Sequence, residues 1–185
     1  MDNDEFIEIV SQKFIEDEEN TKDERLVRFK ELNTIFGPQG DQLLEGGTQA
    51  SLALHEAANS YVSGNFMAVV LLVQAFIEHS LSGRFVMSGQ EKLAESSFKK
   101  IIDAANEQSI IEPELHEKLD VLRKIRNPYV HARVGFKNGS LEKRMMDSKC
   151  FDSIEMAKLD ALESLRILKE FKGKHVFMWF PSNET

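Results

Sequence analysis

The chain has 185 residues, of which 42% are hydrophobic and 29% charged. Those values suit one globular domain with an added arm. The formal net charge of −8 excludes a protein that coats nucleic acid with its whole surface, and leaves room for a local basic site.

Residues 4–36 read as one or two helices. Phe6, Ile9, Val10 and Phe14, then Leu26, Phe29, Leu32 and Phe36, recur at steps of three and four. The all-polar run Glu16 to Asp23 predicts a turn between them, and Gly37-Pro38-Gln39-Gly40 and Gly46-Gly47 predict breaks after them. This N-terminal arm is acidic. From Met1 to Phe36 there are 11 acids and 5 bases, a net −6. Its apolar face has to bury against the rest of the chain or, less readily, against a second subunit.

Thr48 or Ser51 is the expected cap of the next helix, which carries Leu52, Leu54, Ala57, Ala58 and Tyr61. Gly64 closes it and Asn65 opens another, the arrangement of two antiparallel helices. From Asn65 to about Phe85 the chain is apolar nearly all round, which predicts the central buried rod. Its greasiest run, Phe66 to Ile77, is interrupted by Gln74 and is too short to span a bilayer. A shorter helix follows from Phe98 to near Gln108. Pro113 then suits the first turn of a helix whose stripe of Leu115, Leu119, Leu122 and Ile125 runs straight into Arg126.

Between Ala132 and Phe151 the helical period is lost. Asn138-Gly139 is a two-residue turn signal, so Val134 and Phe136 on one side and Leu141 on the other predict a small β-hairpin. The closing helix, about Ser153 to Phe171, should bury Ile154, Ala157, Ala161, Leu162, Leu165 and Leu168, with Gly173 ending it. The tail Val176 to Phe180 is too apolar to float in water and is expected to pack as an extended segment against that ribbon. The fold class is therefore all-α: an up-and-down bundle of about five helices over 48–173, an arm and linker over 1–47, and an apolar tail over 174–185.

The lone cysteine, Cys150, permits no intrachain disulfide and fits a reducing compartment. The start, Met1-Asp2-Asn3-Asp4-Glu5, lacks the basic opening of a signal peptide. A cytoplasmic address with no membrane partner is expected. His55, His79, His116 and His175 show no metal-ligand spacing, so neither a metal nor another cofactor is expected.

The chemistry concentrates in Arg126-Asn127-Pro128-Tyr129-Val130-His131. Arginine holds an anion with a planar fork of donors. Histidine exchanges a proton near neutral pH, and asparagine can orient either. Positive charge centres on the same place: from Lys118 to Met146 there are 8 bases and 2 acids, a net +6. Pro128 inside a helix would remove a hydrogen bond and crowd the Lys124 carbonyl, at about 3 kcal/mol. The residue before a proline avoids helical backbone. Asparagine is a favoured N-cap and proline a favoured first helical residue. A helix end near Arg126, with Asn127 capping a new turn, is therefore expected. Without such a break Arg126 and His131 would stand about 140° apart.

These six residues resemble the signature of the HEPN superfamily of all-helical domains: arginine, four to six residues, then histidine, often with a polar residue directly after the arginine. The resemblance covers about Thr48 to Phe171, through the helix pair around Gly64, the short helix at Phe98, the stripe into Arg126 and the closing helix. It implies a metal-independent endoribonuclease, with toxin and defence effectors among its relatives, whose two motifs line one cleft in a homodimer. Carried over, His131 would act on the ribose 2′-hydroxyl or the leaving 5′-oxygen, Arg126 would stabilise charge on the transferring phosphate, and Asn127 would hold the geometry. Arg123 and Arg133 are expected to support the site by favouring neutral His131. Gln74 and Glu78 share a face of the buried helix and need partners, for Glu78 either Arg126, as a support of the site, or a plain buried hydrogen bond elsewhere. RNA, a second copy and a protein antitoxin are the partners so implied. The alternative, a non-catalytic module of the same fold that binds a protein or a nucleotide, stays open.

Overall fold

The computed structural model describes residues 2–37, 41–43, 46–131, 135–175 and 178–180, with 41–43, 175 and 178–180 described by backbone alone. The first helix, α1 (Asn3–Phe36), starts where the Asp2 carboxylate accepts the Glu5 N–H at 2.8 Å. It runs for 34 residues without interruption. The expected turn over Glu16 to Asp23 is absent. That run is polar but contains no Gly or Pro, and half of it is three Glu and one Lys, which are good helix formers, so polarity alone does not break it.

Only the C-terminal part of α1 reaches the body. Arg28 donates from Nε to the Val62 carbonyl at 2.9 Å, and the Tyr61 hydroxyl donates to Glu31 at 2.8 Å. Leu32, Ile35 and Phe36 pack on the core, and the Lys172 ammonium sits 5.4 Å from the centre of the Phe36 ring. No residue of α1 is buried.

The body is built on α2 (Gly47–Ser63) and α3 (Phe66–Met87), an antiparallel pair. The turn between them is made by Gly64 at φ +83°, with the Asn65 N–H bonded back to the Ser60 carbonyl at 2.8 Å. A left-handed residue of this kind favours glycine. Buried Ala50, Ala53 and Ala57 keep the two helices close. At the start of α2 the approach is closer still: a Cβ on Gly46 would lie 2.7 Å from the His79 carbonyl carbon. Ten residues of α3 are buried, among them Val69, Val73, Phe76, Ile77 and Leu81. Each such side chain contributes about 1.5–3 kcal/mol when fully buried. Among the described residues α3 is the one helix long and apolar enough to cross a membrane by composition; in this fold it is the central rod.

A short α4 (Glu91–Ala94) and α5 (Phe98–Glu107) lead to α6 (Pro113–Val130), which begins with Pro113 in its first turn as expected. α7 (Leu141–Ser148) and α8 (Ser153–His175) complete the eight described helices. The α8 helix packs on α3 and α6, with the Phe76 and Phe171 rings meeting edge to face at 6.1 Å. It runs through Gly173 rather than stopping there, and Ile154, expected in the core, is 69% exposed.

Two further expectations change. Asn138-Gly139 does turn, but Ser140 then caps a helix by accepting the Lys143 N–H at 3.1 Å, so Leu141 opens α7 instead of a strand. Val134 lies outside the described residues. The tail is extended, but its partner differs: β2 (Met178–Phe180) pairs antiparallel with β1 (Asp41–Leu43), Gln42 opposite Trp179. Val176 and Phe177 fall outside the described residues.

Candidate functional site

The stripe of α6 sets the position of the site. Leu115, Leu119 and Leu122 are fully buried and Ile125 nearly so. Arg126 follows Leu122 by four residues and Leu119 by seven, so it stands on the same face, where that face leaves the core. It is half-buried, as is Asn127, and His131 is exposed.

The expected break before Asn127 does not occur. The helix continues through Pro128 to Val130, and His131 takes extended backbone (φ −114°, ψ 116°) while its N–H still bonds the Asn127 carbonyl at 2.9 Å. Pro128 withholds only the bond to the Lys124 carbonyl, within the last turn. The turn is held from outside: the Tyr129 hydroxyl donates to Asp160 at 2.7 Å. That tertiary tie outweighs the local preferences of Asn and Pro. Arg126, Asn127 and His131 thus share one helix end. Apart from the backbone bond of His131 to Asn127, no hydrogen bond among the described residues joins them to one another.

Asp160 organises this end of the molecule. It is almost fully buried on α8, takes a two-pronged ion pair from Arg144 of α7 (2.8 Å from Nη1 to Oδ2) and accepts the Tyr129 hydroxyl. Burial, and then the bond to Asp160, push the Tyr129 phenol far above its usual range. Sequence reasoning did not single out Asp160. Its signal was there: an acid four residues before Ser164 and eight before Leu168, on the row that α8 buries, requires a cation.

The positive segment is largely neutralised. Arg123 and Lys124 both bind Asp120, at 2.8 Å each, Lys118 binds Glu170, and Lys143 binds Asp147. Burial alone would raise the Asp120 carboxyl, but hydrogen bonds from Lys124 and Arg123 outweigh it and pull it down to about 2. Among the described cations of this segment, Arg126 and Lys137 make no ion pair. Arg133 lies outside the described residues.

Glu78 is not the partner of Arg126. It accepts from Gln74 Nε2 at 3.3 Å. Phe76 is level with Phe171, Lys118 with Glu170, and Tyr129 with Asp160, so Glu78 lies at about the level of the beginning of α6, well over a turn from Arg126. Gln74 Oε1 is buried without a hydrogen-bond partner among the described residues. No group of three or more His, Cys, Asp or Glu residues among those described is placed to hold a metal ion. Cys150 is half-buried, its thiol 3.5 Å from the Asp152 carbonyl.

Compared with known proteins, the chain matches no family model, no curated protein and no solved structure.

Proposed function

We propose that the chain is a HEPN-type, metal-independent endoribonuclease and that Arg126, Asn127 and His131 carry its chemistry. One observation supports this above the rest: among the cations described around the motif, Arg126 stands without a carboxylate, half-buried at the mouth of the bundle, on the helix end that also exposes His131. A buried or half-buried arginine without a carboxylate is poised for an outside anion, and a phosphodiester fits its fork of donors. His131, free of the bundle, would move the proton between the ribose 2′-hydroxyl and the leaving 5′-oxygen, and Asn127 would orient the phosphate. The motif's continuation as helix keeps Arg126 and His131 on different sides of that end, which favours a cleft completed by a second copy's motif.

The same separation also favours the second reading, a module of this fold that binds RNA or a nucleotide through Arg126 without cleaving it. Incubation of the full chain with structured and single-stranded RNA in excess chelator, beside Arg126→Ala and His131→Ala, separates the two. Nuclease function predicts cleavage that falls by about 10²-fold or more in each variant. Cleavage unaffected by both substitutions, or none by the unaltered chain, contradicts it. Neither side chain lies in the core, so both variants should fold.

A further inference from the structure

The N-terminal two-thirds of α1 overhang the body. At 1.5 Å per residue its 34 residues span about 51 Å, against about 26 Å for the 17 of α2. Because Arg28 is level with Val62, the residues before it extend past the Gly64 turn. Phe6, Ile7, Val10 and Phe14 fall within about 100° of one another on this overhang. All four are substantially exposed, Phe14 at 67%. Nearer the body, an open groove of about 510 Å³ beside Val62, lined by Phe14, Ile15, Leu26 and Phe29 among others, continues the apolar surface. From Asp2 to Glu24 there are 10 acids and 2 bases, a net −8.

Further exposed apolar residues lie toward the same end, because α8 runs back from Phe171, level with Phe76, through Arg166, whose charge acts on the Tyr61 phenol beside the Gly64 turn, to Asp160. Val130, Phe136, Met146, Phe151 and Ile154 are exposed, the last two at 78% and 69%. All belong to the shoulder that Asp160 ties together through Tyr129 and Arg144. From Arg126 to Asp160, the stretch that builds the shoulder, there are 7 bases and 5 acids, a net +2.

We propose that the acidic arm of one copy docks on the basic, apolar shoulder of a second copy, and reciprocally. The charges decide between partners. Arm against arm would set −8 on −8, whereas arm against shoulder sets −8 on +2 and still buries both apolar surfaces. The geometry allows closure: arm and shoulder lie at one end, so a two-fold axis through that end lays each arm along the other copy's shoulder, an isologous contact. The area suffices. With on the order of 100 Å² for a half-exposed large side chain, the four arm and five shoulder residues of each copy bring the pair to about 1,800 Å², within the range of stable interfaces. The contact stands independently of any cleavage of RNA.

The test is light scattering of the full chain over a range of concentration and salt, beside an arm variant (F6D/F14D) and a shoulder variant (F151D/I154D), with circular dichroism to show that each folds. Docking of arm on shoulder predicts a dimer that weakens as salt rises, self-association weakened on the order of tenfold or more in each variant, and a two-chain complex restored when the two variants are mixed, since one intact arm then meets one intact shoulder. A chain monomeric at every concentration overturns the proposal. So does a shoulder variant that stays dimeric, the mark of arm-to-arm pairing, or a mixture that stays monomeric.

Discussion

Single side chains at the motif end act through what they hold in place. Asp160 sits on the buried row of α8 and answers both Arg144 and the Tyr129 hydroxyl. It thereby fixes α7 and the last turn of α6, the turn that contains Pro128. Removing its charge strands a half-buried guanidinium. Asp160→Asn should cost about 3–5 kcal/mol in chemical denaturation, and the loss should be smaller in a background where Arg144 is already Met. Equal losses in both backgrounds would contradict the pairing. Asp120 makes a pH-dependent contribution. Its carboxyl, at about 2 in the fold, lies below the ~3.9 of an unfolded aspartate. The stability it supplies is therefore complete above about pH 4 and is lost as the pH falls toward 2. Asp120→Asn should be less stable by about 1–2 kcal/mol near neutral pH, and the gap should close over that acid window. A gap that stays constant across it would show that Lys124 and Arg123 do not hold the carboxylate.

At the level of elements, the start of α2 lies hard against α3. Gly46 has ordinary negative φ, so its value lies in the absence of a side chain: a Cβ would meet Ala50 at 2.6 Å and the His79 backbone at 2.7 Å. Gly46→Ala should lower stability by about 1–3 kcal/mol, read as a lower midpoint in denaturant; an unchanged midpoint would mean the helices separate freely there. The glycine itself was visible in the sequence, but only as a break. The helices that bury a regular stripe were legible for the same reason that they are stable: Leu115, Leu119 and Leu122 on α6, and the nearly all-apolar α3, declare their faces by spacing. What was not legible depended on partners far away in sequence. The last turn of α6 survives Asn127-Pro128 because Tyr129 reaches Asp160, 31 residues on. The segment expected as a hairpin is helical because Ser140 caps it and Lys149 closes it in left-handed backbone at φ +56°, a position more often held by glycine. At the candidate site, the sequence proposes Arg126, Asn127 and His131 by type and spacing; that Asp120 occupies Arg123 and Lys124, and that Glu78 pairs with Gln74, could not be read from it.

The whole molecule combines a helical body, a basic shoulder at one end and an acidic arm that passes beyond the same end. Within one copy α1 packs on α2 and, more lightly, on α8. Between copies, arm and shoulder match in charge and in apolar character. The central claim, that the end of α6 cleaves RNA through the 2′-hydroxyl, is tested most directly by the ends of the product. With chelator in excess, an RNA cut by the full chain should carry a 2′,3′-cyclic phosphate and a 5′-hydroxyl. The same RNA with a 2′-deoxy residue at the cut position should remain whole, as should the unmodified RNA with His131→Ala. Cleavage of the deoxy-substituted RNA, or cleavage by His131→Ala at the unaltered rate, would contradict the account.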